Sequence, residues 1–164
     1  MTSMIIPLSN RLKYNSLICN FCENIIMING VKNNQVKSFV DDRGFIQMLV
    51  NTPIKNVTLI KSNKGAIRAN HYHKTDWHYC YVLAGMIEYY HRPTGADTEP
   101  ECIKVNAGEM VFTPPMVDHG MVFPEDTVFL TLSRNPRDQE TYEADVVRIA
   151  MLSTVGLKSW KPDE

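Results

Sequence analysis

Three histidines fall within eight residues in the stretch GAIRANHYHKTDWHYCYVLAG, Gly65 to Gly85: His71, His73 and His78. The whole chain has only five histidines. A fourth, His119, stands downstream in GEMVFTPPMVDHG. Imidazole supports two chemistries here. A neutral ring nitrogen binds iron, zinc, manganese, nickel or copper. Alternatively, with a pKa near neutrality, it takes up a proton and returns it. The two uses compete, because a lone pair given to a metal cannot also accept a proton. An all-histidine set adds no negative charge, which disfavours hard ions such as magnesium. The fifth histidine, His91 in YYHRPTG, reads as a surface residue at a strand end.

Strands must position these side chains. Residues two apart on a strand point to the same side, so His71 and His73 project into one space. Lys74, Thr75 and Asp76 form a turn, and His78 opens the next strand. From Val36 onward, short runs rich in β-branched and aromatic residues alternate with turn signals. Examples are VKSFV, FIQMLV, NVTLI, AIRANHYH, MIEYYHR, ECIKV, EMVFTP and TVFLTLSR, separated by DDRG, SNKG, PTGADTEP, NAGE and PED. This spacing predicts an all-β sandwich or barrel. The tail PRDQETYEADVVRIAML predicts one helix, or a helix followed by a strand, with Pro136 and Asp138 suited to its start. In WHYCYVLAGMIEYY both strand faces are apolar or aromatic. One face can line a barrel, and the other can pack against a second sheet or a second subunit.

The bulk properties set limits. With 164 residues, 44% hydrophobic and 21% charged, the chain predicts one soluble globular domain. A net charge of −1 without a Lys/Arg stripe argues against nucleic acid or an anionic membrane surface as partner. No apolar run approaches a membrane-spanning length. The first residues lack the pattern of a secretory signal, so the expected location is the cytoplasm. Cys19 and Cys22 form a C-x-x-C with no second pair, which predicts reduced thiols rather than a zinc ribbon. Residues 1–26 read as an N-terminal extension, and Met27 reads as the start of a single domain over 27–164.

The spacing of the glycines and histidines resembles the two motifs of the cupin superfamily. Gly65-x5-His71-x-His73-x4-His78-x6-Gly85 matches the first motif, with His78 in place of Glu. Gly108-x5-Pro114, then His119, matches the second, with Met116 and Phe123 in place of Gly and Asn. The resemblance implies a double-stranded β-helix, or jelly-roll barrel, with a short C-terminal helix. It also implies a divalent transition metal held by His71, His73, His78 and His119, and pairing into a homodimer. A second resemblance is to cupins that act on sugar nucleotides. DDRGF, Asp41 to Phe45, is similar to the opening of the dTDP-4-dehydrorhamnose 3,5-epimerases. RANHYHK matches R-G-x-H-x-H-K of the dTDP-4-keto-6-deoxyglucose 3,4-ketoisomerases at Arg68, His71, His73 and Lys74, with Ala69 in place of Gly. SRNPRDQETYEADVVRI resembles their C-terminal region more loosely.

That likeness implies an isomerase or epimerase of a nucleotide-linked 4-keto sugar in surface-polysaccharide synthesis, with a dTDP-sugar as substrate. His71 and His73 would be the acid/base pair, and Arg68, Lys74 and Tyr72 would bind substrate. Two alternatives stand beside it: a metal-dependent cupin dioxygenase of a small organic molecule, and a non-catalytic cupin that binds a small ligand. Arg68 tests the sugar-nucleotide reading most sharply. It lies three positions before His71, so on an unbroken strand it points to the other side; a bulge near Ala69 and Asn70 would reverse that.

Overall fold

The structure, a computed structural model, describes residues 26–28 and 31–152. The Cys19/Cys22 pair and nearly all of the expected extension lie outside them. The described strands are β1 (Ile26–Ile28), β2 (Val31–Gln35), β3 (Ser38–Asp41), β4 (Gly44–Gln47), β5 (Asn56–Ser62), β6 (Ile67–His73), β7 (His78–Ala84), β8 (Met86–Pro93), β9 (Glu101–Asn106), β10 (Glu109–Thr113), β11 (Val117–Val122) and β12 (Thr127–Ser133). A helix, α1 (Gln139–Asp145), and a last strand, β13 (Val146–Arg148), complete the order. The expected runs are all strands, and the tail takes its helix-then-strand form. Asp138 caps α1 by accepting from the Thr141 amide at 2.9 Å.

Two antiparallel sheets face one another. One has the order β1-β2-β10-β7-β12-β5 and the other β13-β6-β11-β8-β9, while β3 and β4 form a separate hairpin. Alternation decides what turns inward. In β8, Ile87, Tyr89 and His91 are buried, while Glu88 and Tyr90 on the other face are only partly covered. The inner faces meet in a core of Val82, Ile87, Tyr89, Val105, Val111, Phe123 and Phe129.

The chain itself covers part of the apolar outer face of β7. Tyr81, Met110 and Leu132 form a second cluster under Val36, Leu49, Val50 and Ile54. The Tyr81 hydroxyl donates to Gln47 Oε1 at 2.6 Å, which pins the end of β4 to that face. The hairpin turn is fixed by Asp41, which accepts from the Arg43 amide at 2.8 Å.

Candidate active site

The strand β6 carries Arg68, His71 and His73, and it is not regular. His71 pairs with His119 and Ala69 with Gly120, which leaves Asn70 as an extra residue. Ala69 and Asn70 have φ of 66° and 55°. The bulge turns Arg68 onto the side of His71, so the unbroken-strand parity does not apply. Opposite the bulge, a Cβ on Gly120 would lie 2.6 Å from Leu152 Cδ1 and 3.0 Å from Asn70 Oδ1, so a larger residue would have to push those side chains aside. The turn before β11 explains another motif position. Met116, standing where the cupin pattern has Gly, adopts φ 58°, and its amide donates to the His73 carbonyl at 2.9 Å.

A cavity of about 160 Å³ opens between the sheets. Its polar lining is Arg68, His71, His78, Thr131, His119, Arg137 and Tyr142, over an apolar wall of Ile60, Met121 and Phe129. The histidines from β6, β7 and β11 converge as their spacing predicts. Ring centroids are 4.6 Å apart for His71 and His119, 4.8 Å for His71 and His73, and 5.3 Å for His73 and His78.

His73 stands behind His71, 2% exposed, and does not line the cavity. Its Nδ1 lies 2.9 Å from Asp145 Oδ2. The same carboxylate accepts from the Thr75 amide and hydroxyl, each at 2.7 Å, and from the Asp76 amide at 3.3 Å. Burial works against the charge on Asp145, but the bonds from Thr75 and His73 prevail and hold its carboxyl below the usual range. An ionised carboxylate only accepts, so His73 Nδ1 carries the hydrogen and Nε2 has its lone pair free. His119 is fixed in the same way, with Nδ1 3.0 Å from the Val117 carbonyl.

Burial pushes the pKa of His71, His73, His78 and His119 below the ordinary imidazole value, His119 to about 3. Nearby positive charge, including the Arg137 guanidinium, adds to the shift in each case. All four are therefore neutral at pH 7. Their free lone pairs can take up a proton, and the same burial makes each of them a weaker base than a free imidazole.

The remaining expected substrate-binding residues sit elsewhere. Tyr72 is half-buried on β6 opposite Val147. Lys74 is exposed and donates to the Ala144 carbonyl at 2.8 Å, near the end of α1. Neither lines the cavity. Arg137, Tyr142 and Asp145 were not singled out from the sequence, although all three lie in the segment that resembles the ketoisomerase tail. His91 is a correction. It is fully buried, because it continues the inward alternation of Ile87 and Tyr89, and it pairs directly with His119 across β8 and β11.

The facing sheets, with histidines of β6, β7 and β11 around an interior cavity, make this the double-stranded β-helix of the cupins, of the kind found in sugar-nucleotide isomerases and epimerases. Among solved structures, the chain is similar to a double mutant of the QdtA 3,4-ketoisomerase from Thermoanaerobacterium thermosaccharolyticum in complex with TDP. Identity is 25% and the TM-score 0.62, over 74% of this chain and 89% of that one. It is also similar to a dTDP-4-dehydrorhamnose 3,5-epimerase from Sulfolobus tokodaii, at 20% identity and TM-score 0.60 over 70% and 75% of the two chains. The WlaRB TDP-quinovose 3,4-ketoisomerase from Campylobacter jejuni matches at 19% identity and TM-score 0.61, over 71% and 97%. No protein-family model matches the sequence, and comparison with curated proteins gives no match.

These comparisons correct one expectation. The divalent transition metal assigned to His71, His73, His78 and His119 is overturned, because sugar-nucleotide isomerases and epimerases of this kind typically work without a metal. The histidines do gather, with ring nitrogens of His71, His73 and His119 within 4.8 Å of one another. Proton transfer beside a carbonyl uses those lone pairs directly, which is a different use from ligation. The oxygenase alternative rested on the metal and falls with it.

Proposed function

We propose that the chain is an isomerase or epimerase acting on a nucleotide-linked 4-keto sugar. The observation that carries this reading is the bulge at Ala69–Asn70, which sets Arg68 and His71 on one cavity. The bound TDP of the similar QdtA structure supports it. His71 lines the cavity as a neutral base and takes the proton from the carbon beside the carbonyl. His73, oriented by Asp145, completes the acid/base pair from behind. Arg68 grips the diphosphate through its planar fork. Its Nε now donates to Ser62 Oγ at 2.7 Å, which aims the guanidinium along the rim. The reading extends to a cytoplasmic homodimer with one catalytic domain over residues 27–164.

Two measurements test it. Calorimetry should detect TDP binding, and NMR should follow conversion of TDP-4-keto-6-deoxyglucose to a ketoisomer or epimer. Arg68→Lys should weaken TDP by about 10- to 100-fold, the scale of a charged hydrogen bond of 1–3 kcal/mol. No binding by the unaltered protein at millimolar TDP would overturn the assignment. TDP binding without turnover of any 4-keto sugar would favour the non-catalytic ligand-binding alternative.

A further inference from the structure

Arg137 lies between β12 and α1, and its guanidinium lines the cavity beside His71 and Tyr142. It is held by Ser133 and Tyr142. Nε and Nη2 donate to Ser133 Oγ at 3.2 and 2.9 Å, and Cζ stands 5.0 Å from the centroid of the Tyr142 ring. The nearest carboxylate oxygen, Asp76 Oδ2, is 3.7 Å from Nη2, beyond hydrogen-bond distance. Asp76 spends its other oxygen on the Asn135 amide at 2.9 Å. The cation is thus fixed in direction, while its charge is not cancelled by a bidentate partner.

The wall around it has a consistent chemistry. Among the described residues that line the cavity there are two guanidiniums and no carboxylate. Arg68 is at the exposed rim and is directed by Ser62 and the Lys61 carbonyl. Arg137 sits deeper, among the histidines. A diphosphate asks for cationic charge at one end of such a cavity. The sugar asks for it at the other end only while it reacts, when a neutral carbonyl becomes an enolate.

We propose that Arg137 is a catalytic residue that stabilises the enolate oxygen formed on the substrate. The inference rests on the isomerase reading above. When the carbon next to the carbonyl gives its proton to His71, the C–H electron pair becomes the carbon–carbon double bond. The carbonyl π pair moves onto oxygen, and that oxygen turns toward the Arg137 guanidinium. In a ketoisomerisation the neighbouring hydroxyl proton then passes to this oxygen. The neighbouring oxygen becomes the new carbonyl, and His71 returns its proton to the former carbonyl carbon. No electron or atom is left over, and no further reactant is needed. A pre-oriented donor in a half-closed cavity acts mainly on the charged transition state, so it changes kcat more than binding.

The test compares Arg137→Gln and Arg137→Lys with the unaltered protein on TDP-4-keto-6-deoxyglucose, with TDP affinity measured in parallel. The expected result for Arg137→Gln is a kcat lowered about 100-fold or more, with TDP affinity and KM within about threefold. Arg137→Lys, which keeps the charge, should recover part of the loss. A kcat within about threefold of the original in a variant that still binds TDP would overturn the role. Parallel loss of TDP affinity would also overturn it, by making Arg137 a nucleotide contact. If Arg137→Gln fails to fold, Arg137→Lys alone decides: full activity with an unaltered pH profile would mean only charge-supported structure. If the unaltered protein binds TDP and isomerises the sugar, the parent reading stands whatever Arg137 does. If it does neither, both readings fall.

Discussion

The interior histidines set a pH dependence of stability. Unfolded, each has a pKa near 6.5; folded, burial depresses it, for His119 to about 3. Below pH 6.5 the unfolded chain therefore binds more protons than the folded one, and stability falls with falling pH between those values. Each strongly depressed histidine removes about 2 kcal/mol by pH 5, from 1.36 kcal/mol per pKa unit. Thermal melts should drop steeply from pH 7 to pH 5, and His119→Gln should flatten the slope. A melting temperature unchanged over that range would contradict the burial. At this scale the sequence was half legible. Period-two spacing brought His71 and His73 together, and motif spacing brought in His78 and His119. The same alternation, applied to MIEYYH, would have buried His91 with Ile87 and Tyr89. Asp145 was out of reach, because it meets His73 across 72 residues of chain and no local pattern announces such a partner.

The bulge in β6 is the element on which the site depends. Two consecutive residues at positive φ are costly for side chains other than glycine, and Asn tolerates that region better than most. Asn70 recovers the cost through the tail. Its side-chain Nδ2 donates to the Leu152 carbonyl at 3.2 Å, and its Oδ1 accepts from the Leu152 amide at 3.1 Å. Asn70→Ala should destabilise the fold by about 1–3 kcal/mol. It should also weaken TDP binding, because Arg68 loses its aim. Gly120→Val should be worse, since its first added carbon already meets Leu152 and Asn70. Denaturant titration with parallel TDP calorimetry checks both; unchanged stability in Asn70→Ala would refute the clamp. Strand existence was easy to read from β-branched runs between Gly, Pro and Asp. The bulge was legible only as a condition that Arg68 required, because a single inserted residue leaves the hydrophobic pattern almost intact.

At the scale of the molecule, the hairpin of β3 and β4 is apolar on both faces. Phe39, Val40, Phe45 and Ile46 are 63%, 77%, 69% and 64% exposed. A two-stranded ribbon is marginal in water by itself, so this one is suited to packing against a second copy. Sedimentation at about 10 μM should give a dimer, and Phe45→Glu should raise the dissociation constant at least about tenfold. A monomer at that concentration would refute the pairing. The sequence had assigned the apolar outer face of β7 to a second sheet or a second subunit. The chain's own residues Val36, Leu49, Val50 and Ile54 cover part of it, and the exposed apolar surface moves outward to the hairpin.

The clamp at Asn70 has one more consequence, for slow opening motions. The Ile149 amide donates to the Asn70 carbonyl at 2.8 Å, and Leu152 is bound to the Asn70 side chain, 82 residues away in sequence. The tail therefore cannot peel away without breaking the bonds that hold the bulge of the strand that carries His71. Amide hydrogens of Ile149 and Leu152 should exchange with deuterated solvent at the same opening free energy as those of β6. Saturating TDP should slow both sets together, although neither Ile149 nor Leu152 lines the cavity. The end of the chain then serves as a remote gauge of site closure, readable by mass spectrometry. Tail amides exchanging freely while β6 stays protected would show that the two open independently.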